Sequence, residues 1–474
     1  MATLILADRA VLGGDTLRVE PAVVTVDGAC ITAVAPLDRA APPVPGPGDT
    51  LVDVGGRLLT PAFVNGHTHL AMSALRGVGL DAMEGNIIEE IYFRIEGALT
   101  ADDVRAFTRI GACESLLAGV GAVWDHYYHG EAVAAALVEV GLGGVVAPTL
   151  QDLAGPGVPA LEDQLAATER IAKDRALAEA GVFAALGPHA TDTVSGALWG
   201  RINTVADALE LPIHAHVAQS IEEYGRAVER HGCTPIAWLE RLGVLDAGPA
   251  MLLVHGLYAT HADVQRLRPP RNTLAYCPFS QVQFGFPAAV EGWWKAGLPF
   301  VIGTDCGACN DSMSPQQELR LLACGRAFAV TPSEAGVRFR GTGDPDDARA
   351  LDAIRRTTRE ERAALADPAT LLGTVWRVPG RLHPRLRAGV IEPGARANLC
   401  VWDADHPAWW PTTAPLRTLT MGDVSGALWG LCVNGRWIGE RGAMQASLIG
   451  SDDWREIRAE AEGRLRALFA RAGI

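Results

Sequence analysis

The sequence predicts an α/β fold, a (β/α)8 TIM barrel with a small β-sandwich domain formed by both termini. Two observations lead to this prediction. The middle of the chain alternates short β-rich runs with helical patterns, as parallel barrels do. The two ends instead show short strands separated by hairpin turns. An open doubly wound sheet is disfavoured because the glycine-rich stretch 141–144 precedes a strand instead of following one.

Both ends of the chain carry strand runs that end in tight turns. The dipeptides Asp27-Gly28 and Asn434-Gly435 each follow such a run and are strong hairpin signals. The runs are 23–26, 31–34, 398–402 and 430–433. We therefore expect three units, namely a composite β-sandwich domain of residues 1–58 and 386–446, a catalytic barrel of residues 59–385, and a C-terminal helix within residues 447–474.

The middle of the chain contains eight β-rich runs in series. They are 62–65, 122–125, 144–147, 182–186, 212–215, 251–254, 273–276 and 299–303. Most are separated by helical patterns, among them 100–118, 159–180, 220–242 and 260–267. Thr260 and Asp263 come close to a capping box at the start of the last of these. Eight consecutive βα repeats are typical of a parallel barrel.

Composition argues against several classes of function. The chain has 474 residues, of which 49% are hydrophobic and 20% are charged, so it can bury a large core. The formal net charge of −14 argues against nucleic acid and anionic membranes as partners. The sequence shows no long apolar run, no signal-peptide pattern and no regular cysteine framework. We therefore expect a cytoplasmic protein that acts on a small molecule.

Histidines mark the carboxyl ends of the predicted barrel strands, where barrel enzymes carry their active sites. Five of the twelve histidines have such positions, namely His67, His69, His189, His216 and His255. Asp305 closes the eighth run. His67 and His69 lie two residues apart, so both imidazoles can face one ion from a strand. Imidazole and carboxylate ligands together suit zinc or iron.

At these positions the sequence resembles the amidohydrolase superfamily. The resemblance rests on Pro61-Ala-Phe-Val-Asn-Gly-His-Thr-His69, His216, His255 and Gly303-Thr-Asp305. The resemblance extends over nearly the whole sequence. Within the superfamily, the sequence is most similar to the cytosine/guanine-deaminase-like and triazine-hydrolase-like enzymes. Gly187-Pro-His189 resembles the strand-four motif of S-adenosylhomocysteine and 8-oxoguanine deaminases.

The resemblance implies one divalent metal ion, zinc or as an alternative iron, held by His67, His69, His216 and Asp305. His214 repeats the His-x-His spacing, but His216 stands at the family's ligand position, so we expect a structural role for His214. In the implied reaction, Asp305 accepts a proton from the attacking water. His255 hydrogen-bonds the water or the developing oxyanion. The resemblance also favours a homo-oligomer.

Further residues are candidates for contact with a heterocyclic substrate. The resemblance implies this role for His189 and Arg76, but for Arg76 the sequence favours a surface cation equally. His126 lies among aromatic residues at the end of the second strand, where a planar ring can stack. Uncharged polar side chains suggest a neutral, hydrogen-bonding substrate. They are Gln219 and, after the seventh strand, Ser280, Gln281 and Gln283.

Gln219 departs from the pattern of the family's deaminases, which have a glutamate three residues after the strand-five histidine ligand. That glutamate protonates a ring nitrogen, whereas a glutamine amide cannot transfer a proton at neutral pH. Glu222 and Glu223 lie about one turn into the following helix, and we expect them not to reach the site. Either Asp305 performs all proton transfer, with Gln219 contributing only a hydrogen bond, or the substrate needs no ring protonation.

The sequence therefore predicts a metal-dependent hydrolase, most directly a hydrolytic deaminase of a small aminated purine, pterin, pyrimidine or triazine. An alternative that Gln219 favours is removal of halide or alkylamine, or the opening of a cyclic amide. A second alternative is a barrel that has lost catalysis and serves as a scaffold. The complete set of ligand and acid–base residues argues against the scaffold.

Two cysteines follow Asp305 directly. Cys306-Gly-Ala-Cys309 has the C-x-x-C spacing, which can bind a metal ion or form a disulfide. Because no second C-x-x-C completes a zinc knuckle, we expect a loop that lines the pocket.

Overall fold

The structure, a computed structural model, describes residues 1–78, 86–283, 285, 288–325, 332–363 and 365–473. These residues contain one sheet that is built from both ends of the chain. The middle of the sequence forms parallel strands. Within the same ranges, no helix combines the length and the apolar character that crossing a membrane requires.

Strands from both termini form one seven-stranded sheet. Numbered along the whole chain, they are β1 (Ala2–Leu12), β2 (Arg18–Asp27), β3 (Cys30–Pro36), β4 (Thr50–Pro61), β15 (Leu399–Trp402), β16 (Leu428–Val433) and β17 (Arg436–Ile438). Their order across the sheet is β17-β16-β15-β4-β1-β2-β3. The two expected hairpins are present as β2–β3 and β16–β17. The N-terminal and C-terminal strands meet where β4 pairs with β15, while the domain limits drawn from the sequence stay predictions.

Parallel strands occupy all eight predicted runs of the middle region. They are β5 (Phe63–His69), β6 (Val120–Tyr127), β7 (Gly143–Leu150), β8 (Val182–Ala184), β9 (Gly187–Pro188), β10 (Ile213–Val217), β11 (Met251–His255), β12 (Asn272–Tyr276), β13 (Phe300–Ile302) and β14 (Asp305–Cys306). They are hydrogen-bonded in the orders β14-β5-β6-β7-β8 and β10-β11-β12-β13, and β9 pairs with β7. A parallel bridge between Leu186 and Ile213 lies between the two sheets. The predicted α/β fold with parallel strands is confirmed.

Helices follow most of the parallel strands. Those in the first part are α1 (Phe93–Glu96), α2 (Ala101–Leu117), α3 (Gly130–Val140), α4 (Leu161–Lys173), α5 (Arg175–Glu179), α6 (Gly196–Leu209), α7 (Ile221–His231), α8 (Pro235–Arg241) and α9 (His261–Arg266). Those in the second part are α10 (Pro278–Gln283), α11 (Val290–Lys295), α12 (Gly307–Asn310), α13 (Pro315–Gly325), α14 (Glu334–Thr342), α15 (Pro345–Ala363), α16 (Pro368–Val375), α17 (Arg377–Arg381), α18 (Pro415–Met421), α19 (Met444–Ile449) and α20 (Asp452–Ala472). The long C-terminal helix expected from the sequence is α20.

Two predicted helices are each split, which corrects their limits. The pattern over 159–180 is interrupted at Asp174. This residue directly follows the end of α4, and its side chain caps the start of α5. The pattern over 220–242 breaks between α7 and α8, where Gly232 ends α7 with a φ of +65° and Pro235 begins α8. Local capping chemistry therefore overrides the continuous apolar periodicity.

Buried polar contacts hold the terminal sheet together, and one of them joins it to the barrel. The Asn398 side chain donates to the carbonyl of Gly121 on β6 (3.2 Å) and accepts from the amide of Asn434 (2.7 Å). The Trp402 indole donates to the Thr60 hydroxyl (3.0 Å). Because β5 begins directly after β4, these contacts also fix where the first barrel strand enters.

Candidate active site

Three strands bring histidines to one carboxylate at their carboxyl ends. His67 and His69 lie on β5, His216 on β10 and His255 at the end of β11. The Nε2 atoms of His67 and His69 lie 3.7 and 3.5 Å from Asp305 Oδ1. His255 Nε2 lies 3.9 Å from Asp305 Oδ2, and His216 Nε2 lies 3.3 Å from His69 Nε2. The structure thus brings together all five residues that the sequence assigns to the metal and its immediate surroundings.

The geometry of this cluster fits a divalent cation. A tetrahedral zinc site with bonds of about 2.0–2.1 Å holds its ligand atoms roughly 3.3 Å apart, close to the separations found here. The Nε2 atoms of His67 and His255 are buried and have no hydrogen-bond partner among the described residues. Buried polar atoms without partners are costly, and a cation near them removes that cost. The donor set therefore suits zinc or iron.

Backbone carbonyls orient two of the imidazoles. His69 Nδ1 donates to the carbonyl of His126, and His216 Nδ1 donates to the carbonyl of His189 (2.8 Å). A carbonyl oxygen only accepts, so these bonds place the proton on Nδ1. The Nε2 lone pair of each ring is then free to bind a cation.

His214 holds His67 from the side opposite to Asp305. Its Nε2 lies 2.8 Å from His67 Nδ1, so the contact leaves His67 Nε2 to face the carboxylate. Both rings are fully buried. The position of His214 suits a residue that orients the His67 ring, consistent with the structural role expected for it.

Burial keeps the imidazoles of the cluster neutral. It lowers the pKa of His67 to about 3, and it lowers the pKa of His69, His216 and His255 below the ordinary value. The neutral imidazole is the form that binds a metal ion. Burial alone would raise the pKa of Asp305, but the facing imidazoles of His67, His255 and His69 outweigh it and lower that pKa. Asp305 is therefore anionic at neutral pH.

The backbone at the site is both strained and closely packed. His255 has a φ of +75° and Asp305 a φ of +60°, values that are unusual for residues other than glycine. Such strain concentrates at functional sites. A Cβ atom at Gly303 would lie 2.7 Å from the His67 backbone, so only glycine lets the eighth strand approach β5 closely enough.

Asp305 also accepts a hydrogen bond from outside the histidine cluster. Ser280 on α10 donates its hydroxyl to Asp305 Oδ2 (2.7 Å), and Thr68 donates to the Asp305 carbonyl (2.9 Å). Gln281 accepts from the amide of Ala288 (2.9 Å). Ser280 and Gln281 were expected to read a substrate, but these polar atoms are already bonded to the protein. Both residues also line the cavity beside the cluster, so their place at the site agrees with the expectation, and a contact with substrate stays a prediction.

A cavity of about 300 Å³ borders the cluster. Its lining includes three of the predicted substrate-binding residues, His126, His189 and Gln219. The buried His126 ring stacks on His216, with centroids 4.9 Å apart, and neither of its nitrogens has a partner among the described residues. His189 Nδ1 bonds to the Thr193 hydroxyl (3.0 Å). Both imidazoles therefore have a ring nitrogen available to a ligand.

The structure does not bring Arg76 to this cavity, although the sequence suggested a contact with substrate. Its guanidinium lies 2.7 Å from the Glu114 carboxylate and 3.8 Å from Asp311. These ion pairs hold the side chain toward the surface, where 40% of it is exposed. Arg76 is accordingly absent from the described lining of the cavity.

Two carboxylates of the cavity wall, Glu96 and Glu222, were not among the site residues predicted from the sequence. Glu96 is buried beside Tyr127, and burial raises the pKa of Glu96 to about 7. Glu96 lies on α1 and is distant in the sequence from every predicted strand end, so no sequence motif marks it. Glu222 was expected to lie too far along its helix, yet it lines the cavity. This corrects the expectation, because the chain turns into α7 directly beside the site.

Glu223 lies behind Gln219 and is bonded to the backbone. Its carboxylate accepts from the amides of Ala218 (3.0 Å) and Gln219 (2.6 Å) and from the Thr191 hydroxyl. Burial, and then the charge of Asp192, raise the pKa of Glu223 to about 7. Glu223 therefore fixes the position of Gln219, in agreement with the expectation that it does not reach the substrate.

The family relationship rests on the sequence as a whole. The model of the amidohydrolase family matches residues 58–339, more than half of the chain. The chain belongs to the amidohydrolase family. This amidohydrolase is 30% identical over 370 residues to a 5-methylthioadenosine/S-adenosylhomocysteine deaminase of Natronomonas pharaonis, and the match covers 77% of each protein. The resemblance predicted from the histidine motifs is confirmed.

Solved structures share the fold of this amidohydrolase. An adenosine deaminase from Xanthomonas campestris with bound zinc matches with a TM-score of 0.78 and 23% identity, over 98% of both chains. An atrazine chlorohydrolase from Arthrobacter aurescens, complexed with zinc, matches with a TM-score of 0.77 and 20% identity, over 98% of this chain and 100% of its own. These matches confirm the fold.

Replacing His214 with alanine should weaken zinc binding by the amidohydrolase about 10- to 100-fold, because His67 loses the partner that fixes its ring. Competition with a chelator of known affinity measures the change. His261→Ala, which removes an exposed imidazole at the start of α9, serves as the control and should bind zinc like the wild type. Equal affinity in His214→Ala and the control would contradict the positioning role.

Glu318 joins α10, which carries Ser280, to α12, which follows Asp305. Its carboxylate accepts from the amide of Phe279 (2.9 Å) and from the side chain of Asn310 (2.7 Å). Burial raises the pKa of Glu318 from 4.5 to about 8, even though both hydrogen bonds oppose the shift.

The raised pKa of Glu318 predicts that the contribution of this one residue to stability falls as the pH rises from about 4.5 to 8. In that range the folded state holds a proton that the unfolded state has released, so ionisation costs the folded state on the order of 4 kcal/mol at the upper end. Glu318→Gln should flatten this dependence, as followed by urea unfolding at several pH values. Glu179→Gln, at an exposed carboxyl group, should leave the wild-type slope unchanged, and an equal slope in Glu318→Gln would refute the assignment.

Proposed function

We propose that this amidohydrolase is a metal-dependent hydrolase that deaminates a small aminated N-heterocycle. The convergence of His67, His69, His216 and Asp305 beside a cavity carries this proposal. We propose these four residues as the ligands of one ion, zinc in preference to iron. The neutral imidazoles and the zinc bound to two proteins of the same fold support the choice.

The proposed reaction uses Asp305 as its proton carrier. A divalent cation in the cluster supplies Lewis acidity, which brings the pKa of a water molecule close to neutrality. The anionic Asp305 accepts the proton of the attacking water and returns it to the departing amino group. His255, whose Nε2 has no other partner among the described residues, hydrogen-bonds the water or the developing negative charge. Ser280 holds the Asp305 carboxylate in place through its bond to Oδ2.

We assign substrate binding to His126, His189 and Gln219. All three line the cavity, and burial lowers the pKa of both imidazoles, so the set is uncharged. Uncharged donors and acceptors suit a neutral heterocycle. The names of the relatives make aminopurine nucleosides the first class to test. Glu96 and Glu222 add acceptors that suit the hydroxyl groups of an attached sugar.

Gln219 favours a second candidate, the removal of a halide or alkylamine or the opening of a cyclic amide. Its amide cannot protonate a ring nitrogen, and a substrate with an easily departing group does not need that proton. Asp305 alone then suffices for proton transfer. A scaffold without catalysis is disfavoured because the proposed ligand and acid–base residues all lie together beside the cavity.

We further propose that the protein is a cytoplasmic homo-oligomer. Trp410 lies in the connection between β15 and β16 of the terminal sheet, and 84% of it is exposed. Aromatic side chains are enriched in subunit contacts, so this residue suits a protein interface. The net charge of −14 supports a small-molecule substrate in place of nucleic acid or a membrane.

The zinc-loaded protein should release ammonia from at least one member of a panel of aminated purines, their nucleosides, pterins, pyrimidines and triazines. A coupled ammonia assay measures the rate. Asp305→Asn should lower turnover about 1000-fold or more, because the carboxylate that carries the proton is gone. Gln219→Glu should raise the rate of ammonia release, since it adds a group that can protonate the ring.

The control for Asp305→Asn is Asp311→Asn, which removes an exposed carboxylate just beyond α12 and should retain wild-type turnover. Unchanged turnover in Asp305→Asn would refute the mechanism. Zinc-loaded protein that releases no ammonia from any member of the panel would favour the second candidate, which halogenated, alkylamino and cyclic-amide substrates then test.

A further inference from the structure

Two thiols next to Asp305 have no part in the proposed reaction. Cys306 follows Asp305 on β14, and Cys309 lies on the short helix α12. Both are free and buried, and both line the cavity, as expected of this loop. Their Sγ atoms lie 2.9 Å apart. Three protein donors, namely the two sulfur atoms and an oxygen of Asp305, lie within 4.8 Å of one another.

The position of the two thiols is fixed by packing around them. A Cβ atom at Gly307 would lie 2.8 Å from Ser73 Cα, so the turn between the cysteines rests directly on the segment that follows β5. Cys309 Sγ also lies 3.4 Å from the Cys306 carbonyl. The turn therefore presents both sulfur atoms to the cavity side by side.

A buried hydroxyl next to the thiols also lacks a partner. Tyr92 is only 5% exposed, lines the same cavity, and has no hydrogen-bond partner for its hydroxyl among the described residues. Burial first, and then the nearby Cys306 and Cys309, raise the pKa of Tyr92, so the hydroxyl stays a neutral donor. The wall of the cavity that the thiols line thus offers a polar group without a protein partner among the described residues.

We propose that Cys306 and Cys309, with the Asp305 carboxylate, form a second cation site, selective for thiophilic divalent ions such as zinc and cadmium. Thiolates prefer these ions to magnesium or calcium. Zinc–sulfur bonds of about 2.3 Å hold two sulfur atoms roughly 3.8 Å apart, so the thiols separate slightly as the ion enters. The two thiol protons leave to the solvent, and the ion replaces their two charges, so the charge of the buried site does not change.

The second ion should slow the hydrolysis. Asp305 is a ligand of the first ion and the proton carrier, and a cation on the thiols takes up lone pairs of the same carboxylate. Excess zinc or cadmium therefore inhibits the enzyme, whereas ions that avoid sulfur do not. This inference requires the position of Asp305 but not the identity of the substrate.

A cadmium titration of the reduced, full-length protein carrying one equivalent of zinc tests the proposal. The wild type should take up a second ion, counted by native mass spectrometry, together with an ultraviolet thiolate-to-cadmium charge-transfer band. The double variant Cys306→Ser/Cys309→Ser should hold one ion and show no band. Cys324→Ser removes an exposed thiol and should behave like the wild type.

Two further measurements keep the proposal open to refutation. Cys277→Ser should retain the band, because Cys277 belongs to a different candidate group, with His255 and Asp305. If the double variant does not fold, cadmium-113 NMR of the wild type should show one resonance in the range of sulfur-ligated cadmium. A second ion that persists in the folded double variant, a band that depends on Cys277, or reduced wild-type protein that binds only one ion would overturn the proposal.

Discussion

Removal of water from four imidazoles around one carboxylate is the constraint on which the rest of the site depends. Burial makes His67, His69, His216 and His255 neutral, and it leaves the negative charge of Asp305 without a full charge partner among the described residues. In a region of low dielectric an uncompensated charge is costly, and a divalent cation offsets that cost. The same desolvation keeps each ligating nitrogen free of a competing proton, so burial favours metal binding.

The barrel supplies this constraint through rigid elements. The proposed ligands lie on strands, and two of the imidazoles are oriented by backbone carbonyls, which cannot be altered by substitution of a side chain. His214 orients a third imidazole, and Gly303 lets the eighth strand pack against β5. The terminal sheet fixes the entry of β5 through Asn398. Positions of single atoms at the site therefore depend on packing far from it.

The strands and the metal cluster could be predicted from the sequence because each has a strong local signal. Short β-rich runs that alternate with helical patterns located the strands, and the His-x-His period of β5 placed two imidazoles on one side. The limits of α7 and α8, by contrast, depend on Gly232 and on the proline that begins α8. The positions of Arg76, Glu96 and Glu222 are set by tertiary contacts, which have no periodicity. The ion pair with Glu114 holds Arg76 away from the cavity, and the turn into α7 brings Glu222 to it.

Anomalous diffraction at the zinc absorption edge, from crystals of protein loaded with one equivalent of zinc, tests the central claim most directly. The central claim is that a single ion binds at the carboxyl ends of the barrel strands, next to the cavity. We expect one anomalous peak bounded by the Nε2 atoms of His67, His69 and His216 and by a carboxylate oxygen of Asp305. A peak elsewhere, or no peak in protein that retains its zinc in solution, would contradict the assignment.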